Sequence, residues 1–86
     1  MTDRYQAIAL IIEALDFAEA EFPTWPTDPV HAGSVLTEEA GETVKAINEF
    51  FWSGGPLSEI EKEATQVGAM VIRLLIGLGT YERSVR

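Results

Sequence analysis

Two clusters of helix-breaking residues divide this chain into three long segments, and this division limits the possible folds more than any other feature. Pro23 and Pro26 interrupt the first half of the chain, and Gly54-Gly55-Pro56 interrupts the second. Proline cannot continue a helix, because it lacks a backbone N–H and its ring clashes with the preceding turn. Apolar residues between the breaks recur at helical spacing, so the sequence predicts three α-helices and no strand.

Local signals place the first two helices. The first is expected at about residues 3–21, directly before the proline-containing break. Asp28 is a favourable N-cap, and Pro29 suits the first helical position, where a missing N–H costs nothing. The second helix is therefore expected at residues 29–52.

The third helix is expected at residues 58–78. Ser58, followed by Glu61 three residues later, has the spacing of a capping box at a helix N-terminus. Gly77 is expected near the C-terminus of this helix. The tail, residues 80–86, is expected to be frayed.

Each predicted helix carries an apolar face that is expected to point toward a core. The three faces comprise Tyr5, Ile8, Ile12, Leu15 and Phe22; then Ala32, Leu36, Ala40, Ile47, Phe50 and Phe51; and then Ile60, Ala64, Val67, Val71, Leu74 and Leu78. The far side of the third helix is also apolar. Gln66 and Arg73 are therefore expected to be at least partly buried, with polar partners.

The length of the chain predicts an assembly. Its 86 residues suffice for a single domain, 1–86, which buries only about 60 to 65 per cent of its unfolded surface. There is no cysteine to cross-link so small a core. We therefore predict an all-α helical bundle of three helices per chain, completed by oligomerisation as a homodimer or tetramer.

Charge and hydropathy exclude several classes of partner. Fourteen acidic and six basic residues give a net charge of −8, which repels the phosphates of DNA and RNA, so no polymer nucleic acid is expected as a partner. The most apolar stretch, 67–78, is too short to span a bilayer and contains Arg73, so no membrane partner is expected. No signal-peptide pattern is visible, and a chain without cysteine fits a cytoplasmic location.

A group of carboxylates is expected where the second and third helices meet. Glu39 lies inside one edge of the apolar face, Glu42 lies one turn later just beyond it, and Glu38 lies further round the helix. Glu63 and Gln66 border the apolar face of the third helix. If the two helices pack antiparallel, three carboxylates converge. Such a cluster is expected either to hold protons with raised pKa values or to be compensated by cations. Magnesium, or manganese in its place, suits such oxygen ligands.

These residues resemble a known family. Glu38-Glu39-Ala40-Gly41-Glu42, then twenty residues, then Glu63-Ala64-Thr65-Gln66 is similar to the E-E-x-x-E…E-x-x-D pattern of the MazG-like all-α nucleoside triphosphate pyrophosphohydrolases. The similarity covers His31 to Leu78. It implies that Glu39, Glu42 and Glu63 are metal ligands and that Gln66 occupies the fourth position. The family usually has aspartate there, so Gln66 removes one charge and is expected to weaken metal binding.

The resemblance also implies a reaction, in which water attacks the α-phosphate of a nucleoside triphosphate and releases pyrophosphate. Metal ions would polarise the phosphoryl oxygens and activate the water. Either Glu38 or Glu39 is the candidate general base. The candidate substrate contacts are Arg73, Lys45 and Lys62 for the phosphates, and Trp25 and Trp52 for stacking on the base.

Two alternatives to this function are considered. A non-catalytic helical interaction module that has lost its metal is favoured by Gln66 and by the small number of basic residues. An enzyme resembling phosphoribosyl-ATP pyrophosphohydrolase shares the implied fold and also cleaves at an α-phosphate. No residue of the sequence indicates a preference for a particular base or sugar.

Overall fold

The protein is an all-α chain of three helices, as predicted. A computed structural model describes residues 2–85, with α1 at Arg4–Glu21, α2 at Pro29–Ser53 and α3 at Leu57–Ile76. A short 3-10 helix at Gly77–Thr80 follows α3 directly. No strand occurs within residues 2–85, and no helix there is both long enough and apolar enough to cross a membrane.

The ends of α1 and α2 follow from local side-chain chemistry. The Gln6 N–H donates to the Asp3 carboxylate and the Asp3 N–H donates to the Gln6 side chain, both at 2.9 Å, which makes a reciprocal capping box for α1. The Asp28 carboxylate accepts from the Val30 N–H at 2.9 Å, which confirms the predicted start of α2. Gly54 ends α2 in the left-handed conformation, at φ 72°, which glycine adopts without strain.

The predicted capping box of α3 is wrong. The helix begins at Leu57 with Pro56 at the N-cap position, and no side chain caps it. Ser58 consequently lies inside the first turn, where its hydroxyl cannot cap the N-terminus. Pro56 fixes the chain in an extended conformation next to the glycines, so the helix starts one residue earlier than the Ser58–Glu61 spacing indicates.

The helix α3 is the centre of the fold, because it packs against both α1 and α2. Within residues 2–85, α1 and α2 have no close backbone approach to each other. Ile11 lies against Gly68 and the Ala18 carbonyl lies against Arg73, so α1 runs parallel to α3. The result is an open layer of three helices, with a groove over α3 between the two outer helices.

The predicted apolar faces of α1 and α2 are buried only in part, and no residue of the face predicted for α3 is fully buried. The buried core consists of Leu15 and Ala18 of α1 with Ala69 and Met70 of α3, and Ala32 and Ala46 are buried on α2. The exposed apolar positions include Tyr5, Ile8, Ile12, Phe22, Ala40, Ile47, Phe50, Phe51, Ala64, Val71 and Leu78. The positions on α1 and α2 are exposed because each outer helix has a single neighbour, which covers only a narrow stripe of its surface. Ala64 and Val71 lie on a side of α3 that neither outer helix covers.

The contact between α1 and α3 depends on the glycine at position 68. A Cβ at this position would lie 2.8 Å from two carbons of Ile11, whereas a Cβ at Gly41 would meet no atom within 4 Å. Replacing either glycine with alanine gains helix propensity of about 1 kcal/mol, but only Gly68→Ala also incurs overpacking of about 1 to 3 kcal/mol. We expect urea unfolding to show that Gly68→Ala is less stable than Gly41→Ala by this overpacking cost. Equal stabilities would contradict the close packing of α1 on α3.

Candidate functional site

The groove over α3 is a cavity of about 470 Å³ that receives side chains from all three helices. Its apolar end is lined by Phe17, Phe22, Trp25, Pro26, Val35 and Met70. Its acidic end is formed by Glu39 of α2 and Glu63 of α3, with Lys62 and Gln66 beside them. The groove therefore offers an aromatic wall at one end and carboxylates at the other.

Glu39 is the most perturbed carboxyl group at this site. Its side chain is half-buried because Glu39 lies on the face of α2 that packs on α3, in line with the buried Ala32 and Ala46. Burial raises the pKa of Glu39, and the negative charges of Glu63, Glu38 and Glu42 raise it further. Two helices thus bring like charges together at a partly desolvated position, as the sequence predicted for the Glu39–Glu63 pair.

The other predicted metal ligands are placed differently. Gln66 lines the groove one turn after Glu63, whereas Glu42 and Glu38 are exposed and outside its lining. Within residues 2–85, no group of three or more His, Cys, Asp or Glu side chains is arranged to hold a metal ion. The groove itself therefore provides two carboxylates and one amide oxygen, rather than the expected three carboxylates and an amide.

This donor set fits the chemistry of magnesium. All of the groove's donors are hard oxygen atoms, and Mg²⁺ is usually held by one or two carboxylates together with water and substrate phosphate oxygens. The negative charge of Glu63 also acts on Glu39, and a dication between the two carboxylates would reduce this repulsion. Glu39, Glu63 and Gln66 are therefore the residues that could hold such an ion.

Arg73 has structural partners in place of the phosphate contact predicted for it. The residue is only 7% exposed. Its Nη2 donates to the carbonyl oxygens of Phe22 at 2.6 Å and Thr24 at 3.1 Å, and its Nη1 approaches the Ala18 carbonyl oxygen at 3.5 Å. The guanidinium therefore caps the C-terminus of α1, where carbonyls lack helical partners and the helix dipole favours a cation. The predicted partial burial of Arg73 is confirmed.

Trp25 forms the aromatic wall of the groove and is held from two sides. The Arg73 guanidinium lies 5.0 Å from the centre of its ring, a cation–π distance. Its Nε1 donates to the Tyr81 hydroxyl at 3.0 Å, and this hydroxyl donates to the Leu74 carbonyl at 2.9 Å. Trp25 is therefore fixed in position by residues far from it in the chain.

The start of the tail is ordered, contrary to the expectation that residues 80–86 are frayed. Tyr81 is half-buried, and the Glu82 N–H donates to the Thr27 carbonyl at 3.1 Å. A Cβ at Gly77 would lie 2.9 Å from the Tyr81 hydroxyl, so this glycine permits the tail to approach α3. The contact of Tyr81 with Trp25 was not predicted from the sequence. The only available signal was a lone aromatic residue shortly after two glycines, which does not indicate a contact with Trp25.

The remaining predicted substrate contacts, apart from Trp25 and Arg73, lie in two separate grooves. Lys62 lines the groove beside Glu63. Lys45 and Trp52 line a separate, shallower groove along α2 that shares no residue with the first. Trp52 is 76% exposed and packs edge-on against Phe51, with ring centres 4.6 Å apart. The structure therefore does not bring Lys45 or Trp52 to the carboxylates.

Removing the Tyr81 hydroxyl tests how Trp25 is held. Tyr81→Phe keeps the ring but removes the acceptor of the Trp25 indole N–H and the hydrogen bond donated to the Leu74 carbonyl, so we expect a loss of about 1 to 2 kcal/mol in the free energy of unfolding. We also expect faster hydrogen exchange at Trp25 Nε1, measured by NMR. Tyr5→Phe is the matched control, because Tyr5 is exposed on α1. An unchanged exchange rate in Tyr81→Phe would contradict this hydrogen bond.

Comparisons with known proteins identify no relative of this chain. No protein-family model, no curated protein and no solved structure matches it. The groove and the sequence pattern are therefore the features that bear on function.

Proposed function

We propose that this protein is a magnesium-dependent hydrolase that cleaves a nucleoside or deoxynucleoside triphosphate to the monophosphate and pyrophosphate. The observation that carries the proposal is the meeting of Glu39 and Glu63, from two helices, at one end of a groove with an aromatic wall. A carboxyl group whose pKa is raised by burial and by like charges in a cleft is typical of functional sites. The similarity to the MazG-like pattern supports the same reaction, in a cytoplasmic setting.

The groove residues have distinct roles in this proposal. Glu39, Glu63 and Gln66 would hold the metal ion, which when bound polarises phosphoryl oxygens and lowers the pKa of water. Of the two candidate bases, Glu39 lines the groove and Glu38 does not, so Glu39 is the better placed to orient the water. Lys62 is the groove's candidate phosphate contact, and Trp25 is its candidate surface for stacking a base.

Electrostatics predicts that the metal ion binds in the groove before the triphosphate does. The acidic end of the groove repels a triphosphate unless a dication neutralises Glu39 and Glu63. We expect several millimolar Mg²⁺ or Mn²⁺ to raise the melting temperature of the wild type, because the ion binds only the folded state. Glu63→Gln should abolish this increase, whereas Glu13→Gln, on α1 outside the groove, should retain it. A wild type that melts at the same temperature with and without both metals would argue against the metal site.

A screen for released pyrophosphate tests the reaction itself. The wild type should release pyrophosphate from at least one ribo- or deoxynucleoside triphosphate in the presence of Mg²⁺. Glu39→Gln should abolish this release, and Glu42→Gln should reduce it less, because Glu42 is exposed outside the groove. A wild type inert toward all of these triphosphates would contradict the proposal, and an active Glu39→Gln would place the site elsewhere. Phosphoribosyl-ATP as a further substrate tests the enzymatic alternative.

The second candidate function is a non-catalytic helical interaction module. It is favoured by the small donor set of the groove, in which Gln66 is neutral and Arg73 is bound to backbone carbonyls. The two functions predict different results in the metal-melting experiment, because only the metal-dependent hydrolase requires the dication. A catalytically inert protein that shows no metal-dependent shift would therefore favour the module.

A further inference from the structure

The side of the molecule opposite the groove is apolar. At about 100° per residue, Ile47 and Phe51 lie roughly 80° and 120° round α2 from Glu39, away from the groove. On α3, Val71 and Leu75 lie on the other side of Met70 from Gln66 and Arg73. Together with Ile8 and Ile12 on α1, these residues make up what we call the apolar face: Ile8, Ile12, Ile47, Phe51, Val71 and Leu75. All six are exposed, with Phe51 at 70% and Ile47 at 44%.

The cluster of carboxylates lies on the groove side of the molecule. The charges of Glu63, Glu38 and Glu42 all act on Glu39. Two copies that met through their groove sides would bring these carboxylates together, whereas two copies that met through the apolar face would keep them apart.

The exposed area matches the needs of a stable dimer. The chain exposes 6536 Å². A folded monomer of 9.5 kDa typically exposes about 5,000 Å², so the excess is roughly 1,500 Å². Obligate homodimers bury about 2,000 to 5,000 Å² in total, or roughly 1,000 to 2,500 Å² per copy. The excess therefore corresponds to the area that one copy buries against another.

We propose that a second copy of this chain covers the apolar face and forms a homodimer, with the same residues contributed by each copy. The contact completes the core that α1, α2 and α3 leave open, because it covers the parts of the predicted apolar faces that no helix of the same chain reaches. The two grooves then open outward, on opposite sides of the dimer. This placement does not depend on the proposed reaction.

The mass and melting of the wild type test the dimer directly. Sedimentation equilibrium should give twice the chain mass of 9.5 kDa. The melting temperature should rise with protein concentration, because association stabilises the folded state by mass action. A monomeric mass together with a melting temperature independent of concentration would overturn the proposal, and would leave a different protein or a further segment of chain as the occupant of this face.

A pair of charge substitutions tests which side forms the interface. Ile47→Glu places two carboxylates in the dimer contact and should weaken dimerisation by about 100-fold or more. Phe17→Glu, an exposed apolar position that lines the groove, should leave the dimer intact. If Ile47→Glu fails to fold, its loss of helix by circular dichroism, together with concentration-dependent melting of the wild type, supports the same interface. Dissociation by Phe17→Glu with an intact Ile47→Glu dimer would overturn it.

Discussion

Replacing Arg73 with methionine is expected to lower the free energy of unfolding by about 3 kcal/mol or more, which corresponds to roughly 12 °C or more in melting temperature. The substitution keeps the apolar stem beside Trp25 but removes the hydrogen bonds to the carbonyls of Phe22 and Thr24, and the weaker one to Ala18. A hydrogen bond from a charged group contributes about 1.5 to 3 kcal/mol, and the two bonds to Phe22 and Thr24 are partly buried. Urea unfolding followed by circular dichroism measures this loss.

Two further substitutions show whether the loss of stability in Arg73→Met results from losing the planar guanidinium group. Arg73→Lys keeps the charge but replaces the planar fork with a single ammonium group, so its stability should lie between those of the wild type and Arg73→Met. Arg83→Met makes the same chemical change at an exposed position in the tail and should alter stability by less than about 0.5 kcal/mol. An Arg73→Met variant as stable as Arg83→Met would show that Arg73 does not cap α1.

Glu39→Gln is expected to reduce pyrophosphate release by at least 100-fold and, in the absence of metal, to make the protein more stable at neutral pH. The first effect follows from the proposed roles of Glu39 in holding the metal ion and orienting water. The second follows from the raised pKa of Glu39, since a group that resists ionisation in the folded state destabilises that state when it is ionised. Activity lost together with stability gained is the expected signature of a residue kept for function.

The pH dependence of this stability difference has a definite sign. The pKa of Glu39 is higher in the folded than in the unfolded chain, so the folded state binds the proton more tightly. The destabilisation by Glu39 is complete above the folded pKa and disappears as the pH falls toward the ordinary carboxyl pKa. With a chelator present, Glu39→Gln should therefore melt above the wild type near pH 7 and match it near about pH 4. Glu13→Gln is the control, because Glu13 is exposed on α1 and is not among the charges that act on Glu39. A difference that widens toward acid would contradict the raised pKa.

The helices could be predicted from the sequence because their signals are local. Asp28 with Pro29, and the glycines that follow Ser53, act within one turn of the residues they affect. The apolar faces were only partly correct, because periodicity indicates which side of a helix avoids water but not which surface covers it. Ile47 and Val71 were predicted to be core residues, and in the single chain they are exposed.

The residues of the candidate site were also only partly predictable from the sequence. The proximity of Glu39, Glu63 and Gln66 could be predicted from the sequence, because a short loop makes α2 and α3 antiparallel neighbours. The partners of Arg73 could not be predicted, since they are backbone carbonyls about 50 residues away and have no sequence pattern. Tyr81 was missed for the same reason, because its contact with Trp25 spans 56 residues.

The parallel pairing of α1 with α3 sets an order of events during folding. The α2–α3 hairpin needs only a short loop to close, whereas the pairing of Ile11 with Gly68 must enclose the whole of α2. Closing the longer loop costs more entropy, so we expect the hairpin to form first and α1 to dock onto it afterwards. Substitutions in the α1–α3 contact should therefore mainly accelerate unfolding, while those between α2 and α3 slow folding. The aromatic wall of the groove, which needs the carbonyls at the end of α1, is completed last.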